Sequence, residues 1–310
     1  MTARSTPHKQ APNKWARAGL IAGSLVVLLL IAVFAARWLV TLEPVKTWME
    51  TYTGHSALPD GSPTGFPAWL GWQHFLNMFF LVLIVRTGWQ VRTTTRPAAH
   101  WVRNNKGLIR TKGAPARISL ELWFHLCLDA LWVLNGIVFI IVLFASGQWV
   151  RIVPTSWDVF PNALSAGLQY LSLNWPIEDG WVNYNALQLL AYFTTVFIAA
   201  PLAIITGLRM SGAWPKKAVA LNKAYPMEAA RALHFPVMIY FVAFTVVHVA
   251  LVLATGALRN LNHMYASNDT TSWTGLILFA VSIVVIVGVW FLAQPVFLRP
   301  LASLTGKVGK

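Results

Sequence analysis

Residues 232–254 read ALHFPVMIYFVAFTVVHVALVLA, an apolar run that carries two histidines, His234 and His248. On a helix, the fourteen residues from the first histidine to the second advance about 21 Å and return to within about 40° of the same face. One imidazole then lies towards each surface of a bilayer core of about 30 Å. Because ionisable side chains are costly inside a membrane, two of them at two depths predict two stacked cofactors, which we expect to be haems.

The composition is that of an integral membrane protein. Of 310 residues, 56% are hydrophobic and only 11% are charged. Six apolar runs are long enough to span a bilayer: residues 18–40, 72–92, 120–145, 185–208, 232–256 and 273–297. The first run is too long for a signal peptide and no small-residue cleavage site follows it, so we interpret it as a retained helix. These features predict an all-α integral membrane helix bundle.

The charges predict the orientation of the spans. The basic residues cluster in alternate connections: Arg4, Lys9, Lys14, Arg17; Arg92, Arg96, Arg103, Lys106, Arg110, Lys112, Arg117; Arg209, Lys216, Lys217, Lys223, Arg231; Arg299, Lys307 and Lys310. The other connections hold most of the acids: Glu43, Glu50, Asp60, Asp158, Glu178, Asp179 and Asp269. This positive-inside pattern predicts a multi-pass protein of the cell (inner, cytoplasmic) membrane with both termini cytoplasmic. It explains the net charge of +14 without a nucleic-acid partner.

The predicted domain organisation is simple. A single membrane domain covers residues 18–300, with a haem core at about 70–265 and flanking helices at 18–40 and 273–297. Residues 1–17 are expected to form a disordered basic cytoplasmic tail, and 301–310 a second cytoplasmic tail. Two exterior segments, VKTWMETY and WDVFPNALSAGLQYLSL, are candidate interfacial helices.

Four of the eight histidines lie inside spans: His74, His125, His234 and His248. The others, His8, His55, His100 and His263, lie in tails or connections, where a solvated or interfacial role is expected. The topology places His74 and His248 near the exterior surface, and His125 and His234 near the cytoplasmic surface. Each pair could supply both axial ligands of one haem iron, which suits electron transfer and leaves no position for oxygen. Structural histidines or a different metal are the alternatives.

The haems are expected to be of b type. The single cysteine, Cys127, has no disulfide partner, and the chain lacks the C-x-x-C-H motif of covalent attachment. Small residues that could let a flat macrocycle approach the backbone are Gly88, Gly136, Gly207 and Gly256, although helix packing in membranes needs small residues too.

Several charged and polar residues have candidate roles. Arg117, Arg231 and Arg259 could contact haem propionates, or could simply anchor helix ends. Asp129 shares a helix face with His125 and could hydrogen-bond it, carry protons or pair with Arg86. A quinone site at the exterior end has the candidates Gln73, Asn183, Asn185, Arg259, Asn262 and His263.

Four segments carry a family resemblance: QHFLNMFFLVLIVRTG (73–88), ELWFHLCLDALWVLNGIVFI (121–140), YNALQLLAYFTTVFIAAPLAIITGL (184–208) and ALHFPVMIYFVAFTVVHVALVLATGALRNL (232–261). They resemble the di-haem cytochrome b membrane subunits of the cytochrome b561 type that anchor formate dehydrogenases, thiosulfate reductases and nickel–iron hydrogenases. The resemblance implies a four-helix core with two haem b, ligated by His74 with His248 and by His125 with His234.

The resemblance also implies a function. Such subunits carry electrons between the quinone pool and a partner oxidoreductase, here of the molybdoenzyme or hydrogenase type, and are not stand-alone enzymes. This chain departs from the pattern by adding a helix on each side of the core, which inverts the core relative to the formate dehydrogenase anchors.

Three alternatives stay open. The first is a membrane transporter or proton channel that uses the intramembrane histidines and Asp129. The second is a haem-free structural anchor for another subunit. The third is a stand-alone transmembrane reductase that keeps the haems but has no dedicated partner.

Overall fold

The computed structural model describes residues 14–105, 115–176, 179–215 and 217–310. The first thirteen residues of the predicted tail, and residues 106–114 of the basic connection, lie outside this range. Within the described part, six helices are long and apolar enough to cross a membrane, which matches the six predicted runs. They expose large apolar side chains, such as Val246 and Val284 at 64% and 71% exposure, as expected of surfaces that face lipid. The predicted all-α membrane bundle is confirmed.

The described chain divides into two compact units. The smaller one contains helices α1 (Lys14–Leu39) and α2 (Glu43–Thr51), both of which pack on α5 (Val159–Leu171). A proline at the start of α2 fits the first helical turn, where its missing N–H would have no partner. The backbone of Gly54 is held by the Asn162 side chain, whose Oδ1 accepts from its N–H at 3.0 Å. Helices α2 and α5 are the two segments predicted as interfacial.

The larger unit contains the helices that carry the candidate site. Helix α3 (Ala68–Thr93) packs along α4 (Leu120–Ala145), and α7 (Ala200–Met210) packs along α9 (Met227–Ala254). Helix α6 (Ala186–Phe193) runs into α7 through a π-helical turn, Thr194–Ala199. Residues Ala199, Val237 and Phe241 form an apolar cluster against Leu81 and Trp132, which joins the two helix pairs.

The remaining helices complete this unit. Short helices α8 (Val219–Ala224) and α10 (Ala257–Leu261) flank α9, and a π-helical turn follows at Asn262–Ala266. Helix α11 (Thr274–Leu292) is the last span, and it packs against this turn and against α3. Helix α12 (Pro295–Ser303) ends the helical series and packs on α4.

A small antiparallel sheet was not predicted. Its central strand β1 (His100–Arg103) pairs with β2 (Arg117–Ser119) and with β3 (Gly306–Gly309). In the register, Trp101 lies opposite Ile118 on one side and Val308 on the other. The last ten residues therefore complete α12 and supply an edge strand. Strands of three or four residues are too short for their alternation to stand out in a sequence.

Candidate cofactor site

The four intramembrane histidines lie on three helices of the larger unit. His74 is on α3, His125 is on α4, and His234 and His248 are both on α9. Helix α9 is continuous across both of its histidines, as the fourteen-residue spacing requires, although it contains Pro236. That proline leaves the carbonyl of Ala232 without its helical donor.

The histidines form two pairs, as expected from their depths. Ring centroids of His74 and His248 are 6.3 Å apart, with planes inclined by 49°. His125 and His234 lie on α4 and α9 in the other half of the bundle, and each meets a facing threonine. We call His125 with His234 the basic-end pair, because it lies towards Arg92 near the end of α3, Arg231 near the start of α9 and Arg117 in β2. We call His74 with His248 the far-end pair.

A Thr-Gly dipeptide on the facing helix contacts each histidine of the basic-end pair. Thr87 Oγ1 lies 2.8 Å from His125 Nδ1, and Thr206 Oγ1 lies 2.8 Å from His234 Nδ1. The glycines that follow, Gly88 and Gly207, leave room for the imidazoles: a Cβ there would lie 3.3 Å from Cε1 of His125 and 3.5 Å from Cε1 of His234. The other two candidate glycines, Gly136 and Gly256, have no such neighbour within 4 Å.

These threonines define which imidazole nitrogen carries the proton. Each hydroxyl donates to a carbonyl of its own helix, Leu83 O at 2.8 Å for Thr87 and Leu202 O at 2.6 Å for Thr206. A hydroxyl has one hydrogen, so with that hydrogen on the backbone it accepts from the histidine Nδ1–H. The Nε2 atom is then unprotonated and available as a metal ligand, the usual arrangement for ligating histidines.

The far-end pair is held by aromatic rings. His74 Nδ1 lies 3.2 Å from the Tyr265 hydroxyl, which also approaches Met78 Sδ at 3.9 Å. Burial raises the pKa of Tyr265 to about 12, so the phenol stays protonated near neutral pH. Because a phenol both donates and accepts, this contact suits either tautomer of His74. His248 stacks on Phe244, with planes 6° apart and centroids 5.5 Å apart.

The middle of the bundle between the pairs is aromatic. Trp132 meets Phe241 edge-on at 6.2 Å, and Tyr240 stacks on Phe244 at 6.3 Å. Polar groups in this layer bond one another: Trp132 Nε1 donates to Asn77 Oδ1 at 3.2 Å. The layer is therefore packed and contains satisfied polar groups.

Asp129 lies beside His125, as predicted from their shared helix face. Its Oδ2 is 3.5 Å from His125 Nε2, and with the proton on Nδ1 this contact is not a hydrogen bond from the imidazole. Arg86, its other candidate partner, instead donates to the carbonyl of Ala293 at 2.9 Å and lies over the ring of Trp290.

The three candidate propionate arginines occupy different surroundings. Arg117 donates from Nη2 to the carbonyl of Lys310 at 2.6 Å and also contacts His100. Arg231 is exposed on α9. Arg259 bonds two carboxylates, Asp269 through Nε at 2.7 Å and Asp179 through Nη2 at 3.0 Å.

The polar cluster around Arg259 corrects one expectation. His263 is only 3% exposed rather than solvated, since its Nε2 lies 2.7 Å from Asp269 Oδ1 and its ring stacks on Phe66. Hydrogen bonds from Arg259 and His263 lower the pKa of Asp269 to about 2. Asn262, another quinone candidate, uses its side chain to hold Thr270, Ser272 and the N–H of Gly275. His8 lies outside the described residues.

The four histidines fit haem better than a metal ion ligated by three or more protein side chains. No group of three or more His, Cys, Asp or Glu side chains that could hold a metal ion occurs among the described residues. Two histidines suffice as the protein ligands of one haem iron. Two imidazoles bound through one iron have centroids roughly 6 Å apart, since each metal–nitrogen bond is about 2 Å. The far-end pair at 6.3 Å is compatible with that spacing.

Sequence reasoning missed the threonines and Tyr265 as partners of the histidines. T-G occurs late in two spans, at 87–88 and 206–207, but it also occurs at 255–256 at the end of a third span and at other places, so the dipeptide alone does not single out these threonines. Tyr265 carried no comparable signal, since it reaches His74 only because the chain turns back after α9.

A comparison with known proteins gives one curated relative. The chain is 28% identical over 201 residues to a proposed protein-methionine-sulfoxide reductase subunit, YedZ1, of Azospira oryzae. The alignment covers 60% of this chain and 88% of that relative. No family model and no solved structure matches the chain.

Proposed function

We propose that the protein is a di-haem b-type cytochrome that carries electrons across the membrane between the quinone pool and a partner oxidoreductase. His125 and His234 would hold one haem, and His74 and His248 the other. The observation that carries this proposal is the shared helix: α9 supplies one histidine to each pair, and α3 and α4 supply the others. The similarity to YedZ1, named as a reductase subunit, supports an electron-transfer role.

When bound, a haem at each pair supplies a one-electron redox centre, and the protein supplies position and environment. With two histidines as protein ligands, each haem would supply electron transfer rather than oxygen chemistry. At the basic-end pair, Thr87 and Thr206 hold the Nδ1–H of each ligand and leave Nε2 for iron. The cluster around Phe241 and Trp132 packs between the two centres.

Two observations support candidate classes of redox partner. The family resemblance implies a molybdoenzyme or a hydrogenase, and the name of the relative adds a protein-methionine-sulfoxide reductase as a candidate. A surface for this partner is needed at one end of the bundle. With the termini in the cytoplasm, the basic-end haem would be the cytoplasmic one, and Arg117 and Arg231 are the propionate candidates at that end. Arg259 is the candidate at the far end, where it already holds two carboxylates.

The experiment is reduction of the purified protein by a quinol. Addition of decylubiquinol under anaerobic conditions should produce the visible absorbance bands of reduced b haem within minutes of mixing. Protein that contains haem but is not reduced by any quinol would contradict the quinone part of the proposal. The transporter, channel and haem-free anchor alternatives predict a colourless protein.

A further inference from the structure

A groove of about 690 Å³ opens between α3, α9 and α11, in the half of the bundle that contains the basic-end pair. That volume is in the range of small-molecule binding sites. Its lining is largely apolar and includes Ile239, Val242, Trp89 and Trp290. Trp89 is 52% exposed and Ile239 46%, so the groove is open towards the lipid-facing surface.

One nitrogen of a charged side chain in this groove lacks a hydrogen-bond acceptor among the described residues. Arg86 lines the groove, and its Nη2 donates to the carbonyl of Ala293 at the end of α11. Its Nη1 is buried and has no hydrogen-bond partner among the residues that the structure describes. A buried donor of a charged group left unpaired costs free energy that a ligand acceptor would recover. Gln90, one helical turn further on, is a second polar group in the lining.

The groove lies beside the basic-end pair. Thr87 and Gly88, which contact His125, directly follow Arg86 on α3. On α9, the lining residue Met238 is one turn after His234 and shares its helix face. A molecule in the groove would therefore be separated from this pair by little more than the width of one helix.

We propose that the groove binds the head group of a membrane quinone, with one carbonyl oxygen accepting a hydrogen bond from Arg86 Nη1. The flat head would lie against the indole rings of Trp89 and Trp290, and its isoprenoid chain would leave towards lipid. This inference rests on the proposed electron-transfer function and assigns a location to its quinone. It differs from the exterior-end residues that the sequence pointed to.

Depth favours a quinone over a phospholipid. Arg86 precedes Arg92, near the end of α3, by six residues, which places it about 9 Å further into the membrane. A lipid phosphate lies in the head-group layer, outside the hydrocarbon core. A neutral carbonyl on an apolar molecule reaches Arg86 without bringing a second charge into hydrocarbon, whereas a phosphate has to be desolvated.

The test is calorimetric binding of decylubiquinone to the purified full-length protein in detergent, with haem content measured on the same samples. Val242→Trp fills the groove without touching a histidine pair, and Arg86→Gln removes the donor. Val246→Trp, one turn further along α9 and 64% exposed, is the matched control. We expect wild type and the control to bind alike, and the other two variants to bind about tenfold more weakly or worse.

Three results would overturn the inference. The first is that Val242→Trp binds decylubiquinone with wild-type affinity. The second is that wild-type protein with full haem content does not bind decylubiquinone. The third is that phosphatidylglycerol displaces decylubiquinone but phosphatidylcholine does not. The last result would assign the groove to an anionic lipid head group. Haem content separates the two proposals, since a protein without haem refutes the proposed function, whereas a haem-loaded protein with unaltered binding in Val242→Trp refutes only this location.

Discussion

The two histidine pairs share a helix but are built from different chemistry. At the basic end, each imidazole contacts a threonine hydroxyl and a glycine, and the contacts of His125 closely resemble those of His234. At the far end, Phe244 stacks on His248, and Tyr265 contacts His74 through a longer hydrogen bond of 3.2 Å. A hydroxyl committed to its own helix defines one tautomer, whereas a phenol does not. The pairs should therefore respond differently to substitution.

The largest effect is expected from removal of a ligand. His125→Ala should lose the basic-end haem and His248→Ala the far-end haem, so each variant should retain half of the wild-type haem. Haem extraction with protein quantitation measures this, and potentiometric titration identifies which centre remains. His100→Ala, in strand β1, is the matched control and should keep full haem content. Loss of both haems from a well-folded single variant would refute two independent sites.

Removal of a threonine hydroxyl should be the next largest effect. In Thr87→Val or Thr206→Val the histidine loses the hydrogen-bond acceptor of its Nδ1–H and becomes a weaker donor to iron. The reduction potential of the basic-end haem should therefore rise by tens of mV. A shift of about 59 mV corresponds to a tenfold change in the equilibrium constant for one electron. Redox titration followed in the visible spectrum measures it. Thr245→Val is the control, since that hydroxyl bonds only the carbonyl of Phe241. An equal shift in Thr245→Val would refute the assigned role.

Added methyl groups at the glycines test the close approach to the imidazoles. Gly88→Ala should disturb the basic-end haem more than Gly207→Ala, because its Cβ would lie at 3.3 Å rather than 3.5 Å from the facing ring. Haem occupancy and the position of the visible bands report the disturbance. Gly136→Ala, with open space around its Cβ, should match wild type. A reversed order of the two variants would contradict the described geometry.

At the far end, Tyr265→Phe should have a smaller effect than either threonine variant. Its bond to His74 is longer, and stacking of Phe244 on His248 persists without it. We expect haem content to be unchanged and the potential of the far-end haem to move by less than that of the basic-end haem in Thr87→Val. A larger shift in Tyr265→Phe would show that the far-end pair depends on the phenol.

The smallest effect concerns pH and the loop beside the far-end pair. The pKa of Asp269 is lowered to about 2 by its bonds to Arg259 and His263, so its contribution to stability is complete above the ordinary aspartate pKa near 4 and is lost as pH falls towards 2. The protection of the amides of residues 262–270 against hydrogen exchange, measured relative to the intrinsic rate at each pH, should fall over that interval in wild type. In Asp269→Asn this protection should already be low at neutral pH and should change little on acidification.

Much of this architecture follows from the sequence because its signals are strong and local. Six long apolar runs and the spacing of His234 and His248 are sufficient for the helices and for two depths. The pairing of His74 with His248 stays a prediction, and their ring separation of 6.3 Å is compatible with it. The pairing of the strands could not be predicted, because β3 pairs with β1 across about two hundred residues of chain and neither strand has a recognisable pattern. Burial of His263 depends on a turn after α9 that brings it under Phe66.

The most direct test of the central claim is a count of haem per chain. The purified protein, expressed with adequate haem supply, should give a reduced-minus-oxidised spectrum of b type and, on extraction, two haems per polypeptide. One haem per chain would leave one of the two pairs without its assigned role. Absence of b-type absorbance would contradict the account as a whole.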